Sequence, residues 1–345
     1  MKWLKWIILL AVVIFLMLFI AATDFNKVLA SLQQVGAKFI IILLSTFIAY
    51  MAATIGWRYC MGKKAAAISA WQLFVIRHIG ETAGVVNPTG IVGGEALKII
   101  LLRKKNIEPQ TVVVSVIISR LLMVLTQLLM FFVALAYLTS TSTLYVPFFN
   151  AQNGLVFITI VGLLFWGWAV FTSNRFKRLV RAIPVFTKPV FWLATLNNRR
   201  RHWLRLFSQF LISHPRVVAW AGFYFMLHWL VGSLEFYFIL TFLGIKVTVV
   251  KALLIDMGVI FFKAAGTFIP GQVGIEEYGN KIMLATIGIT DNEIWITASI
   301  LRRTRQLFWI GIGVLFYLLL QKSNPAINDE VKEEAKTLQQ EEEIG

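Results

Sequence analysis

Residues 87–95, NPTGIVGGE, and residues 269–277, IPGQVGIEE, each break an apolar run with proline, glycine and glutamate. The first break lies inside 68–102, an apolar stretch also interrupted by Arg77, His78, Glu81 and Lys98. The second lies inside 251–289, with Asp256, Lys263 and Lys281. Proline stops an incoming helix and glycine permits tight turns and close backbone approach. In each stretch the half on either side of the break is short for a full membrane crossing, which takes about 20 mostly apolar residues. Each stretch therefore reads as a re-entrant helical hairpin.

Outward from these breaks, six runs are long and apolar enough to span: 3–22, 37–57, 112–138, 153–172, 216–243 and 293–320. Hydrophobic residues make up 58% of the chain and charged residues 14%, against about 25% charged in soluble domains. The expected fold is an all-α polytopic membrane protein with six full spans and two re-entrant hairpins. The first run follows Lys2 and Lys5 and is long for a signal-peptide core.

The two broken stretches are related by one offset. Pro88 and Pro270, Glu95 and Glu277, and Arg120 and Arg302 are each 182 residues apart. The flanking spans obey the same offset. The chain divides accordingly: 1–36, first span and outer loop; 37–138, repeat 1; 139–215, an extra span and a basic segment; 216–321, repeat 2; 322–345, an acidic tail.

Basic residues set the orientation. Lys2 and Lys5 place the N-terminus in the cytoplasm, and Arg58, Lys63, Lys64, Arg103, Lys104 and Lys105 mark further cytoplasmic ends. From Ser173 to Arg216 there are ten Lys/Arg and no acid; beside spans this is a cytoplasmic surface facing anionic headgroups. Hence the net charge of +16 points to membrane lipid and not to nucleic acid. Counting crossings brings the C-terminal tail back to the cytoplasm, opens the first hairpin inward and the second outward, and makes the repeats inverted. Inverted repeats with broken helices near the midplane are a recurring plan of secondary transporters.

Non-helical backbone at membrane depth is tolerated where it is buried in protein or lines a wet cavity. The candidate binding surface is thus Asn87, Gly90, Gly93, Gly94, Gly271 and Gly274, with Pro88 and Pro270 as the breaks. Helices restarting near Glu95 and Glu276 would turn N–H groups towards an anion. Charges within spans cost roughly 2.5–3.5 kcal/mol on insertion scales and face a partner or water. The candidates are Arg120, Arg302, Arg303 and Arg305, with Glu95, Glu276, Glu277, Lys98 and Lys263. Arginine grips phosphate or carboxylate through a planar fork. Two roles stay open for them: pairing within the protein, Arg120 with Glu95 and Arg302 with Glu277, or holding an anionic headgroup. Glu81, Glu235 and Asp256 are equally open between proton carriage and burial as neutral acids.

Other chemistries find no support in the residues. Cys60 is the single cysteine, the four histidines lack ligand spacing, and Gly62-Lys63-Lys64 lacks the glycine frame of a P-loop. No cofactor, metal or catalytic constellation is expected.

At Asn87-Pro88 through Gly93-Gly94-Glu95-Ala96-Leu97-Lys98, followed by Ser119-Arg120-Leu121-Leu122, the chain resembles a known family. The same holds at Ile269-Pro270-Gly271-Gln272-Val273-Gly274-Ile275-Glu276-Glu277, followed by Leu301-Arg302-Arg303. It is similar to the flippase-like membrane region of bacterial lysylphosphatidylglycerol synthetases and their stand-alone relatives, over nearly everything but the tail. The resemblance implies movement of a phospholipid or other lipid-linked anion between leaflets of a bacterial cytoplasmic membrane. Stand-alone relatives are associated with varied lipids, so the substrate does not carry over. With only the short acidic tail after the last span, the chain is expected to lack the soluble aminoacyl-transfer domain and not to be an enzyme. A soluble-anion transporter, or a non-transporting partner presenting lipid to a separate lipid-modifying enzyme, is the alternative. Homo-oligomerisation is compatible with either.

Overall fold

A computed structural model describes residues 29–30, 33–86, 91–103, 107, 109–141, 214–265 and 274–323. The expected spans 3–22 and 153–172, almost all of the basic segment, the acidic tail beyond Ser323, and Asn87, Pro88, Gly90, Pro270 and Gly271 lie outside them. Every regular element among the described residues is helical: α1 Phe39–Cys60, α2 Ala70–Val86, α3 Ile91–Arg103, α4 Pro109–Ser140, α5 Pro215–Phe242, α6 Val249–Ala265, α7 Ile275–Thr286 and α8 Asn292–Ser323.

Helices α1, α4, α5 and α8 are long and apolar enough to cross a membrane. At 1.5 Å per residue the 22 residues of α1 reach about 33 Å. The 17 residues of α2 and the 13 of α3 reach only about 26 and 20 Å, less than a hydrocarbon core of about 30 Å. Helix α6, also 17 residues, and α7, with 12, are equally short.

Local sequence explains the ends. Ser69 and Gln72 cap α2 reciprocally, Ser69 N–H donating to Gln72 Oε1 at 3.2 Å and Gln72 N–H to Ser69 Oγ at 3.1 Å. Helix α2 stops at Val86, just before Asn87-Pro88, where proline disfavours a helical predecessor. Gly274 enters α7 with φ 83°, a conformation L side chains rarely adopt. Its N–H donates to Glu277 Oε2 at 2.8 Å, closing the first turn.

Each short pair packs as a hairpin, α2 on α3 and α6 on α7. In the first, glycine lets the backbones touch: a Cβ at Gly94 would sit 2.3 Å from Gly80 O. The largest interhelical contact joins α1 to α5, and it is antiparallel. Lys38 lies over the Phe242 ring, Ala49 meets His228 and Gly232, Gly56 meets Phe225, and Tyr59 stacks on Tyr224. Helix α4 packs on α6, and α8 packs on α2.

Two apolar cores result. One gathers Trp57, Leu73, Ile76, Leu102, Val116 and Phe225; the other gathers Ile42, Leu138, Phe236, Leu254, Ile255 and Leu301. Outward faces are apolar as well, with Ile40, Leu44, Ile117, Val133, Phe223, Leu315 and Leu319 exposed. An apolar exterior over long helices is what lipid contact requires. Polar side chains are buried inside: Arg77, His78, Lys98, Glu235, Asp256, Asn280 and Arg302 among them.

Candidate functional site

Both hairpins deliver charge to the interior. In the first four helices, Arg120 of α4 donates from Nε to Glu95 Oε1 of α3 at 2.6 Å and from a terminal nitrogen to Glu81 Oε1 of α2 at 2.8 Å. Lys98 donates to the same two oxygens at 3.0 and 2.8 Å. Arg77 lies 3.9 Å from Glu81 Oε1. The expected Arg120–Glu95 pair is therefore part of a five-residue network tying both arms of the hairpin to α4.

In the second four helices, Arg302 donates to Asp256 Oδ1 at 3.0 Å, and its Nε lies 3.7 Å from Glu235 Oε2 and 3.6 Å from Glu276 Oε1. Arg305 donates from Nε to Glu235 Oε1 at 2.5 Å. Lys263 pairs with Glu276 at 3.0 Å. Arg303 hydrogen-bonds to Glu277. The expected Arg302–Glu277 pairing is thus corrected: the neighbouring arginine takes Glu277, and Arg302 turns inward. Successive residues on a helix point about 100° apart, so Arg303 reaches Glu277 while Arg302 faces Glu235, Asp256 and Glu276.

Between the networks lies a cavity of about 330 Å³. Arg77, Glu81 and Arg120 line it from one side, Glu235, Asp256, Lys263, Arg302 and Arg305 from the other, with apolar wall from Val85, Met123, Ile260 and Ile310. Tyr50 of α1 joins the halves: its hydroxyl accepts from Arg305 at 2.9 Å, and its ring faces Arg77, 5.9 Å away. His78 and His228 also line the cavity; each donates a ring N–H to a carbonyl, of Trp309 at 2.8 Å and Ala49 at 2.9 Å.

A family model, the lysylphosphatidylglycerol synthase TM region, matches residues 6–313. The chain belongs to this family. Comparison with curated proteins and with solved structures returns no match. Membership of the lysylphosphatidylglycerol synthase TM-region family suggests a membrane lipid-related role, and every cavity residue named above falls within the matched range.

In this family member the sequence-derived candidates separate into groups. Arg120, Lys263, Arg302 and Arg305 line the cavity; Glu95 and Lys98 sit directly behind Arg120. Glu276 lies behind Lys263, and Glu277 and Arg303 hold the start of α7. Gly94 is buried in the α2–α3 contact, beside half-buried Gly93, and Gly274 is exposed. Lys281 is exposed with its ammonium 5.5 Å from the Trp295 ring, outside the networks. Sequence reasoning left out Arg77, Tyr50, His78 and His228 as cavity residues. It also missed Asn280, fully buried and donating to Ser299 Oγ at 2.9 Å. Arg77 carried a usable signal, a cation within a broken apolar stretch.

Proposed function

We propose that this chain moves an anionic phospholipid, or another lipid-linked anion, between the leaflets of a bacterial cytoplasmic membrane. The observation that carries this reading is the cavity itself, lined by five cations and by aliphatic wall within helices whose outer faces are apolar. Such a lining suits a charged headgroup attached to acyl chains that stay in lipid.

The fold supports alternating access. Helices α1 to α4, shifted by 182 residues, fall on α5 to α8 to within a few residues at their ends, apart from the longer N-terminus of α5. Exchanging the two sets preserves the main packing: α4 on α6 becomes α8 on α2. Since the equivalent helices α1 and α5 run antiparallel, an axis relating them lies across the helices and so in the membrane plane. This arrangement supports the reading of an inverted repeat. Positive-inside reasoning supports a cytoplasmic side for both termini.

Leaflet exchange of fluorescent phosphatidylglycerol in proteoliposomes tests the reading. Faster exchange with the native chain, lost in a folded Arg120→Gln variant, supports it. No exchange of any anionic lipid tried overturns it.

A further inference from the structure

Deepening that reading, we infer that Arg77 anchors the transported anion, and that the anion is a singly charged phosphodiester. Every other cation lining the cavity has a carboxylate oxygen within 3.0 Å: Arg120 has Glu81 and Glu95, Lys263 has Glu276, Arg302 has Asp256, and Arg305 has Glu235. Arg77 has only a long ion pair. Its side chain is 8% exposed and, among the described residues, it makes no hydrogen bond. The nearest carboxylate oxygen, Glu81 Oε1, is 3.9 Å away and already accepts from Lys98 and Arg120, each at 2.8 Å. The Tyr50 ring is its other neighbour of note.

The charge count agrees with the geometry. Among the described residues, the second network sets Lys263, Arg302, Arg303 and Arg305 against Glu235, Asp256, Glu276 and Glu277, four of each sign. In the first, again among the described residues, Arg77, Lys98 and Arg120 face Glu81 and Glu95, leaving one positive charge over. His78 and His228 give their N–H groups to carbonyls and supply no counter-charge. A buried charge whose one partner is distant and shared is costly, and one monoanion in the cavity lowers that cost. A guanidinium fork matches two phosphodiester oxygens. A lipid headgroup and a free phosphodiester share this chemistry.

The test is calorimetric titration of the purified full-length chain in uncharged detergent. The probes are short-chain phosphatidylglycerol, short-chain diacylglycerol, which lacks the phosphate, and dimethyl phosphate, against native, Arg77→Gln and Arg77→Lys proteins. Expected is a preference of the native chain for phosphatidylglycerol over diacylglycerol of about tenfold or more, the size of one charged hydrogen-bond partner. Arg77→Gln should abolish that preference without lowering the unfolding temperature, and Arg77→Lys should keep part of it. An unchanged preference in folded Arg77→Gln overturns the inference. If Arg77→Gln does not fold, undiminished affinity in Arg77→Lys overturns it and a weakened but surviving preference supports it. Equal affinity for dimethyl phosphate supports the Arg77 site and assigns a free phosphodiester as its source. Arg77-dependent binding without leaflet exchange leaves this inference standing and sinks lipid translocation alone.

Discussion

Replacing Glu235 by glutamine keeps the shape of a side chain only 4% exposed and removes its charge. Two arginines depend on it, Arg305 at 2.5 Å and Arg302 at 3.7 Å. Asp256 then remains as the close charged partner of Arg302, while Arg305 keeps neutral acceptors alone, the Tyr50 hydroxyl and the glutamine carbonyl, and loses its counter-charge. Charge centres about 4 Å apart at an effective dielectric of about 20 attract by about 4 kcal/mol. Breaking a buried pair from one side typically costs about 3–5 kcal/mol, because the orphaned charge stays buried. Glu235→Gln should therefore lower unfolding free energy by about 3–5 kcal/mol in a detergent-denaturant titration. Arg305→Gln should cost a similar amount, and the double variant less than both together by about 2 kcal/mol or more. Additivity within about 0.5 kcal/mol would refute the reasoning, since independent sites behave that way.

Three further outcomes follow from the packing. Gly94→Ala places a Cβ 2.3 Å from Gly80 O and should cost about 1–3 kcal/mol, whereas Gly222→Ala meets nothing within 4 Å and should gain about 0.5–1 kcal/mol; unfolding titrations giving the reverse order would contradict the close α2–α3 contact. A Cβ at Gly232 lies 3.8 Å from Ala49 Cβ, near the mean for disulfides, so Ala49→Cys/Gly232→Cys in a Cys60→Ser background should cross-link within the chain on oxidation; a pair that stays reduced argues against antiparallel α1 and α5. Exposed Lys64 and Lys246 follow the ends of those helices, so Lys64→Cys should react with an impermeant thiol reagent from the cytoplasm and Lys246→Cys from outside; labelling from one side would remove the inverted arrangement.

Much of the fold was legible because bilayer crossing imposes a length. The runs 37–57, 112–138, 216–243 and 293–320 became α1, α4, α5 and α8 with ends shifted by a few residues. Both broken stretches became short helix pairs because proline and glycine act locally. The site was harder to read. An arginine's position in a span says that it needs a partner, while helix rotation decides which one, and rotation is set by packing. Hence the pairing of Arg120 with Glu95, one of the two roles left open, is present, while Glu277 pairs with Arg303 and not with Arg302. Arg77 hid for a related reason: spaced four before Glu81, it reads as an ordinary intrahelical pair. Only the tertiary contacts show Lys98 and Arg120 occupying the oxygen that Arg77 would use.

Arg120 and Arg302 hold equivalent places in the two helix sets, yet their side chains are 35% and 5% exposed. On the proposed reading that inequality defines a state. Halves of the same topology can exchange exposures, one network opening as the other closes, and the two arrangements then differ little in free energy because what one half loses the other gains. A bistable pair of this kind needs a ligand only to choose between states, through its differential contacts with each. Arg77 breaks the equivalence, since the residue 182 positions on is Val259, wholly buried and apolar. An anion held by Arg77 is therefore bound by one half alone. On the proposed reading the barrier on either side of it would move as the networks exchange roles, while the bound anion would keep its anchor until the cavity faced the other leaflet.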